Sequence, residues 1–153
     1  MKLKRIITII LAMIICILPL SSALAAPESF YGNPGSSSYG LMTIKNPEAV
    51  VSSTANKICV VSAVANPGTT ITLYSYSSAT GKYHKMYSNG YALESTVGAA
   101  GLFAQNISLK TGTNSILVYA TYGGQYQTVK LDITLLKSSV VDNGRNILQT
   151  IIN

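Results

Sequence analysis

Few residues in this chain could carry acid–base, nucleophilic or metal chemistry, and they are dispersed. His84 is the single histidine, and the acids are Glu28, Glu48, Glu94, Asp132 and Asp142. A Ser/His/Asp relay, a paired-carboxylate site or a cation site needs several such groups converging on one point. No spacing here predicts convergence, and His84 stands between Lys82 and Lys85 in a setting that reads as solvated surface. The expectation is therefore a protein that is not an enzyme, with no catalytic residues, no metal and no cofactor. Cys59 lies in Lys57-Ile58-Cys59-Val60-Val61 and reads as a small buried hydrophobe rather than a reactive thiol.

Tyrosine is the one enrichment, at ten residues against two Phe and no Trp. A tyrosine ring offers a flat apolar face with a wet hydroxyl, suited to stacking on sugars or gripping a protein. Tyr74, Tyr76, Tyr83, Tyr87 and Tyr119 fall on strand-like stretches and form the candidate ligand-binding surface. The competing expectation for the same residues is ordinary cross-strand pairing of aromatics on an exposed sheet face.

The elements that would position them are strands. Val64-Ala65-Asn66-Pro67-Gly68-Thr69-Thr70-Ile71-Thr72-Leu73-Tyr74 ends one strand, turns at Pro-Gly and begins the next. After the turn Ile71, Leu73 and Ser75 share one face, and Thr70, Thr72, Tyr74 and Tyr76 the other. Leu41–Ile44, Lys57–Ala65, Lys82–Tyr87, Ala92–Val97, Leu102–Leu109, Ser115–Tyr122 and Tyr126–Leu136 repeat this texture, separated by Gly, Pro, Asn and Ser. In the last, Val129, Leu131, Ile133 and Leu135 face in. Apolar residues on both faces of Lys57–Ala65 predict a strand in the middle of a sheet. Seven to eight short strands with turns about every 8–12 residues predict an all-β, antiparallel β-sandwich over residues 41–136, a closed barrel being the alternative with the same periodicity.

The flanks differ. Lys2, Lys4 and Arg5 precede an apolar run from Ile6 to Leu20, and Ala23 and Ala25 supply small residues for cleavage. That pattern predicts a secretory signal peptide over 1–25, cleaved after Ala25, and hence a secreted or envelope-associated product. Its removal leaves eight basic residues against five acidic, scattered from Lys45 to Arg145, which argues against nucleic acid as a partner. It also leaves Cys59 as the only cysteine, so no internal disulfide forms. Residues 26–40, rich in Gly, Pro and Ser, read as a flexible leader, with Phe30, Tyr31 and Tyr39 leaving room for partial docking on the domain. Residues 137–153 read as a tail ending in a short amphipathic helix. There Ile147, Leu148, Ile151 and Ile152 offer a stripe for packing on the sandwich or for association with a partner.

Three stretches resemble the secreted bacterial immunoglobulin-like domains of Gram-positive surface and exported proteins. They are Asn66-Pro67-Gly68-Thr69-Thr70-Ile71-Thr72-Leu73-Tyr74, Gly98-Ala99-Ala100-Gly101-Leu102-Phe103, and Leu109-Lys110-Thr111-Gly112-Thr113-Asn114-Ser115-Ile116-Leu117-Val118-Tyr119-Ala120. The resemblance covers about Leu41 to Leu135 and implies an immunoglobulin-like sandwich with a non-catalytic binding or structural role. The partner expected is an unidentified protein or, on the rival reading drawn from the tyrosines themselves, a cell-wall or other glycan held on the tyrosine-rich face.

Overall fold

The alternation in Gln125–Leu135 sets the frame, because it lays Leu131, Ile133 and Leu135 on one buried side of a long strand. The computed structural model describes residues 26–137. Within them run twelve strands: β1 Ser29–Tyr31, β2 Met42–Asn46, β3 Val51–Thr54, β4 Ile58–Ala65, β5 Thr70–Ser77, β6 Lys82–Lys85, β7 Tyr87–Ser88, β8 Tyr91–Ala92, β9 Glu94–Thr96, β10 Leu102–Ser108, β11 Gly112–Tyr122 and β12 Gln125–Leu135. The main sheet has the order β1-β6-β5-β11-β12-β3, with β9 also paired to β5. A second sheet has the order β10-β4-β2, and β7 and β8 form a small ribbon.

The fold is all-β, with its core between the two sheets. Val61, Ala63 and Ala65 of β4 and Phe103 and Ile107 of β10 meet Ile71 and Leu73 of β5, Ile116 and Val118 of β11, and Leu131 and Ile133 of β12. Each Val, Leu, Ile or Phe among these contributes about 1.5–3 kcal/mol when fully buried, so this layer is the main source of stability. β4 does lie mid-sheet, between β10 and β2, as its two-sided apolar pattern predicts. Gly101 lets the chain run close beneath it: its φ is +71°, and a Cβ there would lie 3.2 Å from the Ala65 carbonyl oxygen.

Three expectations change. The strand count rises because two expected strands are interrupted and because β1 and β3 form outside those expected. Lys82–Tyr87 breaks at Met86 and Ala92–Val97 at Leu93, where the Leu93 N–H donates to the Met86 carbonyl at 2.7 Å. The sandwich is not wholly antiparallel, since β3 runs parallel to β12 with Val51 opposite Asp132. Finally, residues 26–38 are no free leader. β1 pairs with β6, Ser29 opposite His84, and Ser36 and Ser37 serve the free edge of β12. The Tyr126 and Thr128 N–H groups donate to the Ser37 and Ser36 hydroxyls at 2.8 and 2.9 Å. The Ser37 and Ser38 N–H groups donate in return to the Tyr126 carbonyl. Short polar residues thus satisfy a strand edge that would otherwise leave backbone groups unpaired. The signal peptide, the cleavage point and the C-terminal helix lie outside the described residues.

Candidate functional site

Five consecutive residues of β11, Ile116 to Ala120, are buried, so the main sheet is covered on both faces. Its second face carries Tyr74, Tyr83, Leu117 and Tyr119, and the covering layer is Ala26 with Phe30 of β1. The Phe30 ring lies edge-on to Tyr74 at 4.9 Å and tilted against Tyr119 at 5.1 Å. Tyr74 is fully buried, and its hydroxyl donates to the Pro27 carbonyl at 2.6 Å. Burial first, and the Glu94 charge second, push the Tyr74 hydroxyl far above its usual range, which keeps it a proton donor.

The tyrosine-rich face is therefore divided. Tyr74, Tyr83 and Tyr119 are buried, while Tyr76 and Tyr87 are exposed at 44% and 55%. The expected open platform of five rings does not form, because the segment before Gly32 lies over three of them. Tyr76 packs on Tyr83 at 5.2 Å, and the Tyr87 hydroxyl donates to Glu28 at 2.7 Å.

A charged clip holds the covering segment down. Lys85 Nζ, almost fully buried, donates to the Ala26 carbonyl at 2.9 Å and lies 3.1 Å from Glu28 and 3.7 Å from Glu94. Burial acts to lower the Lys85 pKa, yet the hydrogen bond to Glu28 and the two carboxylate charges outweigh it and raise it overall. Glu28 is lowered by the Tyr87 hydroxyl and then by Lys85. Glu94 accepts a second bond from the buried Thr72 hydroxyl at 2.8 Å. The acids nearest one another are thus engaged in holding the fold.

Beside this clip opens a cleft of about 700 Å³ between the β11–β12 hairpin and the start of β5. Its aromatic side is Tyr119, Tyr122 and Tyr126, with the Tyr119 and Tyr126 rings stacked at 5.7 Å and 25°. Thr70, Thr96, Thr121 and Glu94 supply hydroxyls and one carboxylate. Gly68 brings the Pro-Gly turn against Tyr122: its φ is +87°, and a Cβ would sit 3.2 Å from that ring. Sequence reasoning included Tyr119 and missed Tyr122 and Tyr126. Their signal was the position of both residues beside the Gly123-Gly124 turn, which places them at a hairpin end where side chains converge.

This cleft suits a polar ligand with a flat face, since rings stack and hydroxyls exchange hydrogen bonds. His84 lies elsewhere, 2.7 Å from the Thr80 hydroxyl on the exposed β5–β6 hairpin. Cys59 is half-buried on the second sheet, and burial pushes its thiol up. No three His, Cys, Asp or Glu side chains among the described residues come together as a metal site would need. No protein-family model matches the chain, and no curated protein is detectably similar to it in sequence.

Proposed function

We propose that this chain is a secreted, immunoglobulin-like module that binds or spaces at the bacterial cell surface or in the medium and performs no catalysis. The carrying observation is the strand order. A three-stranded sheet of β10-β4-β2 faces β6-β5-β11-β12, and the chain crosses from one sheet to the other between β2 and β3 so that β3 runs parallel to β12. That arrangement supports the resemblance in Leu41–Leu135, including the tight turn before β11. There Gly112 has a φ of +91°, and Asn114 Nδ2 donates to the Lys110 and Gly112 carbonyls at 2.7 and 2.9 Å.

A second reading, a carbohydrate- or wall-binding module, is favoured by one feature: the Tyr119–Tyr126 stack beside Tyr122 and Glu94. It moves the glycan surface from the buried tyrosines to this cleft. Co-sedimentation of residues 26–153 with purified cell walls and insoluble polysaccharides tests it. Saturable retention lost on Tyr122→Ala and Tyr126→Ala substitution supports the glycan reading. Retention unchanged by both, or absent from every polymer, removes it and leaves a protein ligand or a spacer.

A further inference from the structure

The outer face of the second sheet is apolar and open. Ile58, Val60 and Val64 of β4 are 57%, 41% and 40% exposed, and Leu102 of β10, directly opposite Val64, is 67% exposed. On β4 and β10 the other residues of this face, Ser62, Ala104, Asn106 and Ser108, bring no charge, and exposed Lys45 of the neighbouring β2 borders them. Four exposed aliphatic side chains gathered on one face in this way mark a contact surface. Alternation explains how it arises: Cys59, Val61, Ala63 and Ala65 fill the core, so the apolar residues between them must point outward.

We propose that residues 138–153 of this same chain cover that face. The exit point favours it. The Leu136 N–H donates to the Thr54 carbonyl at 2.9 Å, and the chain then crosses from β3 to β4, reaching Ile58 four residues later. Lys57 is fixed at that corner by the Leu109 N–H, 2.8 Å from its carbonyl. Thr54 and Ile58 are therefore at most about 14 Å apart. Val140 and Val141 follow Lys137 by three and four residues, which spans the same distance. Beyond them Asp142-Asn143-Gly144 permits a turn, and Ile147, Leu148, Ile151 and Ile152 recur at the spacing of a single apolar stripe. The exposed row from Ile58 to Val64 is about 20 Å long, within reach of sixteen residues. The apolar residues of the tail match the apolar row of β4 and β10 in chemistry, and the tether supplies the tail at an effective concentration on the order of millimolar.

Disulfide trapping tests the placement. In the chain from Ala26, Cys59→Ser removes the native thiol, and Val60→Cys is combined in turn with cysteine at Ile147, Leu148, Ile151 or Ile152. At least one pair is expected to close within the monomer about tenfold faster than the same tail cysteine with Tyr76→Cys, on the other sheet. Ile147→Asp with Ile151→Asp is expected to raise binding of an apolar dye while leaving the melting temperature of the sandwich in place. Cross-links that form only between molecules would overturn the proposal in favour of a second copy. Absence of cross-links from all four pairs, or dye binding unchanged by the aspartates, would overturn it in favour of a foreign partner or a lipid surface.

Discussion

The side-chain amide of Gln127 pairs with both main-chain groups of Met42 across the sandwich. The Met42 N–H donates to Gln127 Oε1 and Gln127 Nε2 donates to the Met42 carbonyl, each at 3.0 Å. Gln127 is buried, so β12 uses one polar side chain as a short piece of strand where β2 has no backbone neighbour on that side. Gln127→Ala would leave two buried backbone groups unpaired, at a cost of about 3 kcal/mol. Gln127→Glu keeps the acceptor and loses the donor, and it also buries a carboxylate. Chemical denaturation should show both variants destabilised at pH 7, with Gln127→Glu partly restored on acidification.

Tyr74 should behave as a core residue in any binding assay. Tyr74→Phe removes the hydrogen bond to Pro27 and is expected to cost about 1 kcal/mol. Tyr74→Ala also empties the space against Phe30 and Tyr119, at about 3–5 kcal/mol. Loss of retention in a Tyr74/Tyr76 double variant would then follow unfolding, and circular dichroism would report it. Tyr122→Ala and Tyr126→Ala should instead leave the melting temperature within a few degrees. A Tyr74→Ala protein as stable as its parent would show that β1 does not cover that face.

These two residues mark where the sequence was legible. Alternation in Leu102–Leu109 and Tyr126–Leu136 placed Phe103, Ile107, Leu131 and Ile133 inside, because period two has one solution when a single face is buried. The same rule puts Gln127 in phase with Val129 and Leu131, a signal its polarity masked. Alternation fails in β11, where Leu117 and Tyr119 look outward by phase yet are covered by Ala26 and Phe30. In residues 26–40 only the aromatic residues hint at docking, since the hydrogen-bond partners lie 47 to 92 positions away, in Tyr74, Lys85, Tyr126 and Thr128. The cleft was hidden for a similar reason: Glu94, Tyr119 and Thr70 meet only through strand pairing.

The Lys85 clip, together with the Asp132 carboxylate held by Ser115 and Lys130, gives the protein an acid and an alkaline limit. Glu28 and Asp132 titrate below their ordinary 4.5 and 3.8 in the folded state, through the Tyr87 and Ser115 hydroxyls first. A lowered folded pKa contributes stability above the unfolded value that is lost as pH falls through the folded one. Stability should thus hold from pH 7 to about 5 and decline below about pH 4.5. Lys85 and Tyr87 titrate above their ordinary 10.5 and 10.0, so their contribution is complete below about pH 10 and lost above it. Glu28→Gln should flatten the acid limb and speed hydrogen exchange in Ser29–Tyr31 at pH 7. Unchanged exchange there would mean that the ring contacts of Phe30 hold β1 without the clip.

Thr69 offers the opposite kind of change. Its side chain is fully buried after the Pro-Gly turn, and its hydroxyl has no hydrogen-bond partner among the described residues. Its backbone is fully engaged: the N–H donates to the Asn66 carbonyl at 3.0 Å and the carbonyl accepts from Val97 at 2.8 Å. The side chain fills a fully buried site, while its oxygen carries a desolvation cost with no protein bond among the described residues to offset it. Thr69→Val keeps the shape and removes the oxygen, and should stabilise the protein by about 1 kcal/mol. For a domain of this size that is a rise of about 3–6 °C in the melting temperature, read by calorimetry. Thr69→Ser keeps the hydroxyl and drops the methyl, and should lower the melting temperature. If Thr69→Val were instead destabilising, the hydroxyl would have to be bonded in solution, and the turn at Asn66–Gly68 would rest on that bond.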